Sequence, residues 1–383
     1  MRVAHLNFVP TGLASVVKKL GQQARSARLS GLPMDFLLVN DDEEGPGGDV
    51  LHCRYARPSG YRRRLLREHT FHKTALIEQA VRLADYDAVV MRYIGHYTRA
   101  GGFLRRHGGK LITEHHTKEL AQIYLYRGGL ARHAFALVER LSAARFLRRV
   151  RGIIGVTDEI RRHELELAGP KPSTVIGNGI LVAETPFTGF RPFDGRELHL
   201  VFVANDFPPW QGLDRLVDGL AAFGGPERLV LHLVGRVYPE VEARIVQTRL
   251  PHAEVQLHGR LHGVELDRVM EQATLGVSSL GLYTNQMTEA CTLKSREYAA
   301  RGLPFVMGYT DPDMPVGTPF VLEVSNSPSP VGCRQVVEFA RRITASADIA
   351  RSAREFAEKN LDWRPKLQRL HTFASQVVAT PLA

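Results

Sequence analysis

Short unbroken apolar runs alternate along the chain with stretches in which apolar residues recur every three or four positions. The runs are Met1–Val9, Met34–Asn40, His52–Tyr55, Tyr86–Tyr93, Lys110–Thr113, Gly152–Thr157 and Ser173–Ile180 in the first half. In the second they are Leu198–Ala204, Leu229–Gly235, Val255–Gly259, Ala273–Leu280 and Phe305–Met307. Continuous apolar runs of this length, closed by glycine or small polar residues, predict strands buried on both faces of a parallel sheet. Between them lie helical spacings. Leu13, Val16, Val17, Leu20 and Ala24 fall on one face, as do Leu213, Leu216, Val217, Leu220 and Ala221. Thr292 is placed to cap a helix that Gly302 and Pro304 end, and Asp158 to cap one over Glu159–Leu167. Strand, turn and helix repeat on both sides of a proline- and glycine-rich stretch, Ala183–Arg196, so the pattern predicts two doubly wound α/β domains, 1–183 and 196–355.

Composition narrows the class. At 383 residues two cores are expected, and 44% hydrophobic with 23% charged residues describes a soluble globular protein. Three widely spaced cysteines suggest neither a disulfide framework nor a zinc site, and point to a reducing cytoplasm. A net charge of +10 calls for an anionic partner. No apolar run approaches the ~20 residues that span a bilayer, and Met1–Val9 is too short for a signal peptide, so any membrane contact would be peripheral. The basic, aromatic-studded run Arg54–Lys73 lies inside an α/β pattern with no nucleic-acid module; it reads as an electrostatic rim facing an anionic acceptor, with no nucleic acid. In Ala131–Arg151, Leu137, Val138, Leu141 and Ala144 share one side and arginines crowd the end. That helix is either a core element whose arginines suit its C-terminal dipole or a basic amphipathic helix for anionic lipid.

The chemistry concentrates at Met287–Val306. Glu289 falls in a loop after a strand, Glu297 on the helix that follows, and Thr292, Leu293 and Lys294 at that helix's N-terminus. Helix amides and Lys294 suit phosphate oxygens, and carboxylates accept hydrogen bonds from hydroxyls, so a sugar-like, phosphorylated ligand is expected. In the first half, Gly12 lets backbone approach a ligand at a strand's carboxyl end, and Arg92 ends another strand at the same edge.

The run Glu-Ala-Cys-Thr-Leu-Lys-Ser-Arg-Glu-Tyr-Ala-Ala-Arg-Gly-Leu-Pro, residues 289–304, resembles the E-x7-E signature of the GT4 family of retaining GT-B glycosyltransferases, especially its bacterial polysaccharide and lipopolysaccharide branch. The resemblance implies a GT-B fold of two Rossmann-like domains facing across a cleft, with a helix at about 360–383 packing back on the first. It makes Glu297 the ribose residue and Glu289 the sugar-side residue. His116, with His115 as alternative, becomes the strand-end histidine facing the donor sugar. His258 and Arg260 become candidates beside the base, and Ser173–Ile180 resembles the family's Asn-Gly segment, although Leu181 stands where its aspartate usually does. At the loop after the first C-terminal strand, aligning Gly212 puts Asn205 and Gln211 where most relatives carry the arginine and lysine that neutralise the diphosphate. Lys294, Arg296, Arg236, Arg260 or helix amides would then hold it.

The implied activity is retaining transfer from a UDP-, GDP- or dTDP-type sugar, as co-substrate, to a glycan or lipid-linked acceptor, with no permanently bound cofactor and no metal site. The cytoplasm, at the inner face of the plasma membrane, is the implied location. A nucleotide-sugar 2-epimerase and a non-catalytic sugar-nucleotide-binding subunit are the rival readings.

Overall fold

The computed structural model describes residues 1–9, 14–56, 72–95, 97–119 and 131–380. The chain forms two compact units, Met1–Gly177 with Trp363–Ala383, and Asn178–Asp362.

In the first unit β1 (Val3–Phe8), β2 (Met34–Asn40), β3 (Val50–Arg54), β4 (Ala88–Arg92), β5 (Leu111–His115), β6 (Gly152–Gly155) and β7 (Ser173–Val175) form one parallel sheet in the order β3-β2-β1-β4-β5-β6-β7. All six residues of β1 are buried, which its central place requires. Helices α1 (Ala14–Leu29), α2 (Lys73–Ala80), α3 (Gly101–His107), α4 (Ala131–Leu147) and α5 (Asp158–Ala168) link the strands. The cap of α5 is Thr157, whose Oγ1 accepts from the Ile160 amide at 3.3 Å, rather than Asp158; Asp158 instead pairs with Arg161 and Arg162 one turn on. In α4 the expected core side is reversed: Leu137, Val138 and Leu141 are exposed, and Ala136, Glu139, Ala143, Phe146 and Leu147 face inward.

In the second unit β8 (Glu197–Asp206), α6 (Leu213–Ala221), β9 (Arg228–Arg236), α7 (Pro239–Gln247), β10 (Ala253–Gly259), α8 (Val264–Glu271), β11 (Leu275–Val277), α9 (Leu293–Arg301), β12 (Phe305–Met307) and β13 (Val321–Glu323) build a second parallel sheet, order β10-β9-β8-β11-β12-β13. Helices α10 (Cys333–Thr344) and α11 (Ile349–Phe356) follow. The first unit closes at Gly177, ahead of the stretch 183–196, because Asn178 is tied into the second: its amide donates to Cys291 Sγ and its side chain to Cys291 O at 2.6 Å. A single π turn, Ala357–Leu361, precedes α12 (Trp363–Ala379), which belongs to the first unit. There Lys19 lies over the Trp363 ring and Arg369 donates to Val175 O.

Candidate functional site

Strand order reverses direction at β1/β4 in one unit and at β8/β11 in the other, and in doubly wound sheets ligands bind at the carboxyl ends beside such a switch. The residues singled out from sequence in the second unit gather at that edge in three groups.

The first surrounds Lys294. Its Nζ donates to Gln211 Oε1 and, at 3.3 Å, to Ser279 Oγ; it lies 4.8 Å from the Phe202 ring centre and 5.8 Å from that of Trp210. Gln211 is buried, and its Oε1 also accepts from Ser279 Oγ at 3.1 Å. No carboxylate pairs with Lys294 among the described residues, and burial lowers its ammonium to about 7. The loop that brings Gln211 here depends on Gly212: at φ 70 it is left-handed, and a Cβ would stand 2.5 Å from Gly281 N. Leu280 N and Gly281 N bond to Gln211 O and Trp210 O, stitching the exits of β8 and β11 together. Thr292 is the N-cap of α9, its Oγ1 accepting from Ser295 N at 3.4 Å while meeting Ser278 Oγ and Tyr309 Oη. Leu293 is the half-buried first residue of the helix.

The second group is Asn205, Asp206, Arg236 and Arg260 at the ends of β8 to β10. Asp206 Oδ1 accepts from Arg236 at 2.8 Å and Arg260 at 3.1 Å, and Arg260 Nε reaches Asn205 O at 3.4 Å. Both arginines are more than half exposed. Asp206, missed from sequence, is what gathers them.

The third is the pair of glutamates. Glu289 is half-buried in a loop bridged to Thr310, and Glu297 accepts from Arg301 at 3.1 Å one helical turn on. Arg301 also holds Asp267 at 2.7 Å. Arg296 is not among the cations open to a phosphate. Fully buried, it pairs with Asp311 and Asp313 and donates to Asn178 O, fastening the Asn-Gly turn beneath the Glu289 loop. His258 belongs to a different arrangement: His199, His232 and His258 are hydrogen-bonded in series across β8, β9 and β10 at 2.9 and 3.0 Å.

In the first unit the two histidines part. His116 Nε2 stands 2.9 Å from Glu114 Oε2 and 3.2 Å from Lys19 Nζ; burial, then the Lys19 charge, lower it to about 3. Burial would raise the Glu114 carboxyl, but Lys19, His116 and His5 outweigh it and hold it well below the usual range. Arg92 lies close enough to lower His116 further. His115 turns to the other face, stacked 4.7 Å from Tyr93, with Nε2 3.0 Å from Thr113 Oγ1. Its Nδ1, Glu119 and Glu164 bring ligand atoms within 4.8 Å of one another, a donor set of the kind that holds a cation. Gly12 lies outside the described residues.

No family model matches the sequence, nor does any curated protein. Solved structures match along nearly the whole chain. Sucrose-phosphate synthase from Thermosynechococcus elongatus is 16% identical, with a TM-score of 0.67 over 99% of this chain and 100% of that one. Anabaena HepE in complex with UDP is 14% identical, with a TM-score of 0.63 over 98% and 100%. WaaG, a glycosyltransferase involved in lipopolysaccharide biosynthesis, is 14% identical, with a TM-score of 0.62 over 99% and 100%. At such identities the likeness is one of fold. With two parallel sheets, each doubly wound, and glycosyltransferases as its structural neighbours, the chain has the two-domain α/β GT-B fold.

Proposed function

We propose that this chain is a retaining glycosyltransferase of the GT4 type that moves a hexose from a nucleoside-diphosphate sugar to a glycan or lipid-linked acceptor in bacterial surface polysaccharide assembly. The observation that carries the reading is Lys294, a cation held by neutral partners alone among the described residues. Lys294 is half-buried, where a charge without a counter-ion is costly, and a ligand anion at the β8/β11 switch would supply one. The diphosphate would lie against Lys294, the α9 amides from Leu293 onward and Gly212, with Asn205 and Gln211 lining the loop. UDP is the first choice of nucleotide, since three neighbouring structures hold UDP or UDP-glucose. Glu297 would take the ribose hydroxyls, Glu289 the sugar, and His258 and Arg260 the base side. Positive charge and helix amides aimed at the departing diphosphate would stabilise the leaving group. The acceptor would enter beside Gly12, Arg92, His115 and His116; His116, neutral through burial, offers a hydrogen-bonding nitrogen rather than a charge. The acceptor hydroxyl would attack on the face the diphosphate leaves, and no side-chain nucleophile is assigned. A lipid-linked acceptor would bring the chain peripherally to the inner face of a membrane.

One observation favours a second reading, a non-catalytic sugar-nucleotide-binding subunit: Gln211, at a position where the resemblance to the GT4 family implies a cation, has its side chain already engaged by Lys294 and Ser279. Calorimetric titration of UDP, GDP, dTDP and CMP into the wild type and Glu297→Ala tests both. One diphosphate preferred, and lost in the variant, is expected; no binding below millimolar concentration would sink the donor site. Binding of the sugar nucleotide without turnover over a broad set of acceptors would favour the subunit, and an isomerised sugar nucleotide would reveal an epimerase.

A further inference from the structure

We infer that His115, Glu119 and Glu164 of the first unit form a structural site for a divalent metal ion, zinc by the chemistry of its ligands. Two helices each place a glutamate where a core residue belongs. On α5 the buried stripe is Ile160, Glu164 and Ala168, spaced four apart; on the inward side of α4 Glu139 lies between Ala136 and Ala143. Tyr93 Oη donates to Glu139 at 3.2 Å. Glu164, 2% exposed, makes no side-chain hydrogen bond among the described residues. It lines a cavity of about 10 Å³ together with Tyr93, Glu119, Glu139 and His163, whose Nε2 is also buried without a hydrogen-bond partner. That is room for one water-sized body.

The distances favour an ion over hydrogen bonds. His115 Nδ1 lies 3.5 Å from Glu119 Oε2 and 3.5 Å from Glu164 Oε2. Both separations are long for a hydrogen bond, whose N···O distance is usually about 2.7–3.2 Å. They match the edge of a tetrahedron, about 3.4 Å for ligands about 2.1 Å from a shared ion. The three ligand atoms lie within 4.8 Å of one another, so small side-chain rotations close the set. On the far side of the ring, His115 Nε2 is 3.0 Å from Thr113 Oγ1. A ligating imidazole characteristically donates its other N–H to such a partner, which leaves the Nδ1 electron pair toward the carboxylates. Arginine does not fill the role. Arg140 lines the cavity and Arg92 acts on Glu119 through its charge, but neither pairs with Glu119 or Glu164 among the described residues. One nitrogen with two carboxylates suits zinc, whereas magnesium and calcium prefer oxygen alone. The ion would tie the end of β5 to α5. The site uses no donor-site residue and is read without turnover, so it and the proposed activity can fail separately.

The test is calorimetric titration of the tag-free, metal-stripped full chain with zinc chloride, paired with melting temperatures. One equivalent is expected to bind, undisturbed by about a hundredfold excess of magnesium. Free zinc at about one hundred times its Kd should favour the folded chain about a hundredfold, read as a rise in melting temperature. Glu164→Gln keeps the shape of the side chain and should raise the zinc Kd roughly tenfold or more, and Thr113→Val by roughly ten- to 100-fold. Cobalt(II) in place of zinc should give the visible absorption of a tetrahedral ion. His232→Gln and Cys291→Ser, in the other groups of potential metal ligands, should leave the bound equivalent in place. If Glu164→Gln does not fold, the Thr113→Val constant decides. Absence of saturable zinc binding, or a Kd that the variants at 164 and 113 leave at the wild-type value, overturns the proposal. So does loss of the equivalent in His232→Gln or Cys291→Ser, which would move the ion to the second unit.

Discussion

Lys294→Met should weaken binding of the nucleoside diphosphate yet leave the ligand-free protein at least as stable as the wild type. The two effects have one cause. In the folded chain the ammonium has Gln211 Oε1, Ser279 Oγ and two aromatic rings around it, and burial lowers it from its ordinary 10.5 to about 7. A bound diphosphate supplies the missing counter-charge and restores the charged form. Losing a hydrogen bond to a charged group costs about 1.5–3 kcal/mol, or roughly a ten- to 150-fold rise in Kd. The pH dependence is more diagnostic. At pH 8 a lysine titrating near 7 is about nine-tenths neutral, so binding must bring a proton in, and Kd should rise by nearly tenfold per pH unit above about 7.5. Titration calorimetry between pH 7 and 9, in buffers of different ionisation enthalpy, reads both slope and proton uptake; it stays above the range, near 6, where the ligand's own phosphate titrates. Lys294→Arg, charged throughout, should bind with no slope. Without ligand, the unfolded chain holds more protons than the folded one between about pH 7 and 10.5, so Lys294 makes stability rise with pH across that window and withholds it below. The methionine variant should therefore melt no lower than wild type at pH 7. A wild-type Kd flat from pH 7 to 9, or a slope that survives in Lys294→Met, would refute the reasoning.

Arg296→Met should do the opposite. It strands buried Asp311, and removing one partner of a buried pair costs about 3–5 kcal/mol, read from urea unfolding. Gly212→Ala should lower the melting temperature and the nucleotide affinity together. Its left-handed φ costs about 1–2 kcal/mol for a residue with a Cβ, and the contact with Gly281 N would also push away the loop carrying Gln211. His232, lowered to about 4 by burial and then by His199 and His258, binds its proton more readily when unfolded. Stability should therefore fall as pH drops from 6.5 toward 4, and His232→Gln should flatten that slope in urea midpoints measured at pH 5 and 7.

Sequence periodicity was enough for the parallel sheets because burial on both faces leaves a strand no polar side, and the runs that became β1, β4, β5, β8 and β9 say so residue by residue. It was not enough wherever the question was which face looks inward. In α4 the leucines and arginines share a stripe, and a repeat of 3.6 residues is the same whether that stripe meets a core or water. Partners distant in sequence fix the rotation, among them the Tyr93 hydroxyl, 46 positions upstream, that donates to Glu139. His115 is the last residue of β5 and His116 the first beyond it, and the two part to opposite sides, one toward Glu119 and Glu164 and the other toward Glu114 and Lys19.

Lys294 and Arg296 are the sharpest case. Two residues apart on a helix, they point about 200° from each other, and as letters they are interchangeable cations beside a candidate phosphate site. Asp311 and Asp313 lie beyond the next strand and claim Arg296, while the exits of β8 and β11 offer Lys294 only an amide and a hydroxyl. What separates the two cations is thus the supply of carboxylates from other loops. Asn205 and Gln211 put no charge on the loop after β8, but the fold brings one beside it: Gln211 Oε1 accepts from Lys294 of the neighbouring helix, a pairing across more than eighty residues that no local reading of the loop contains.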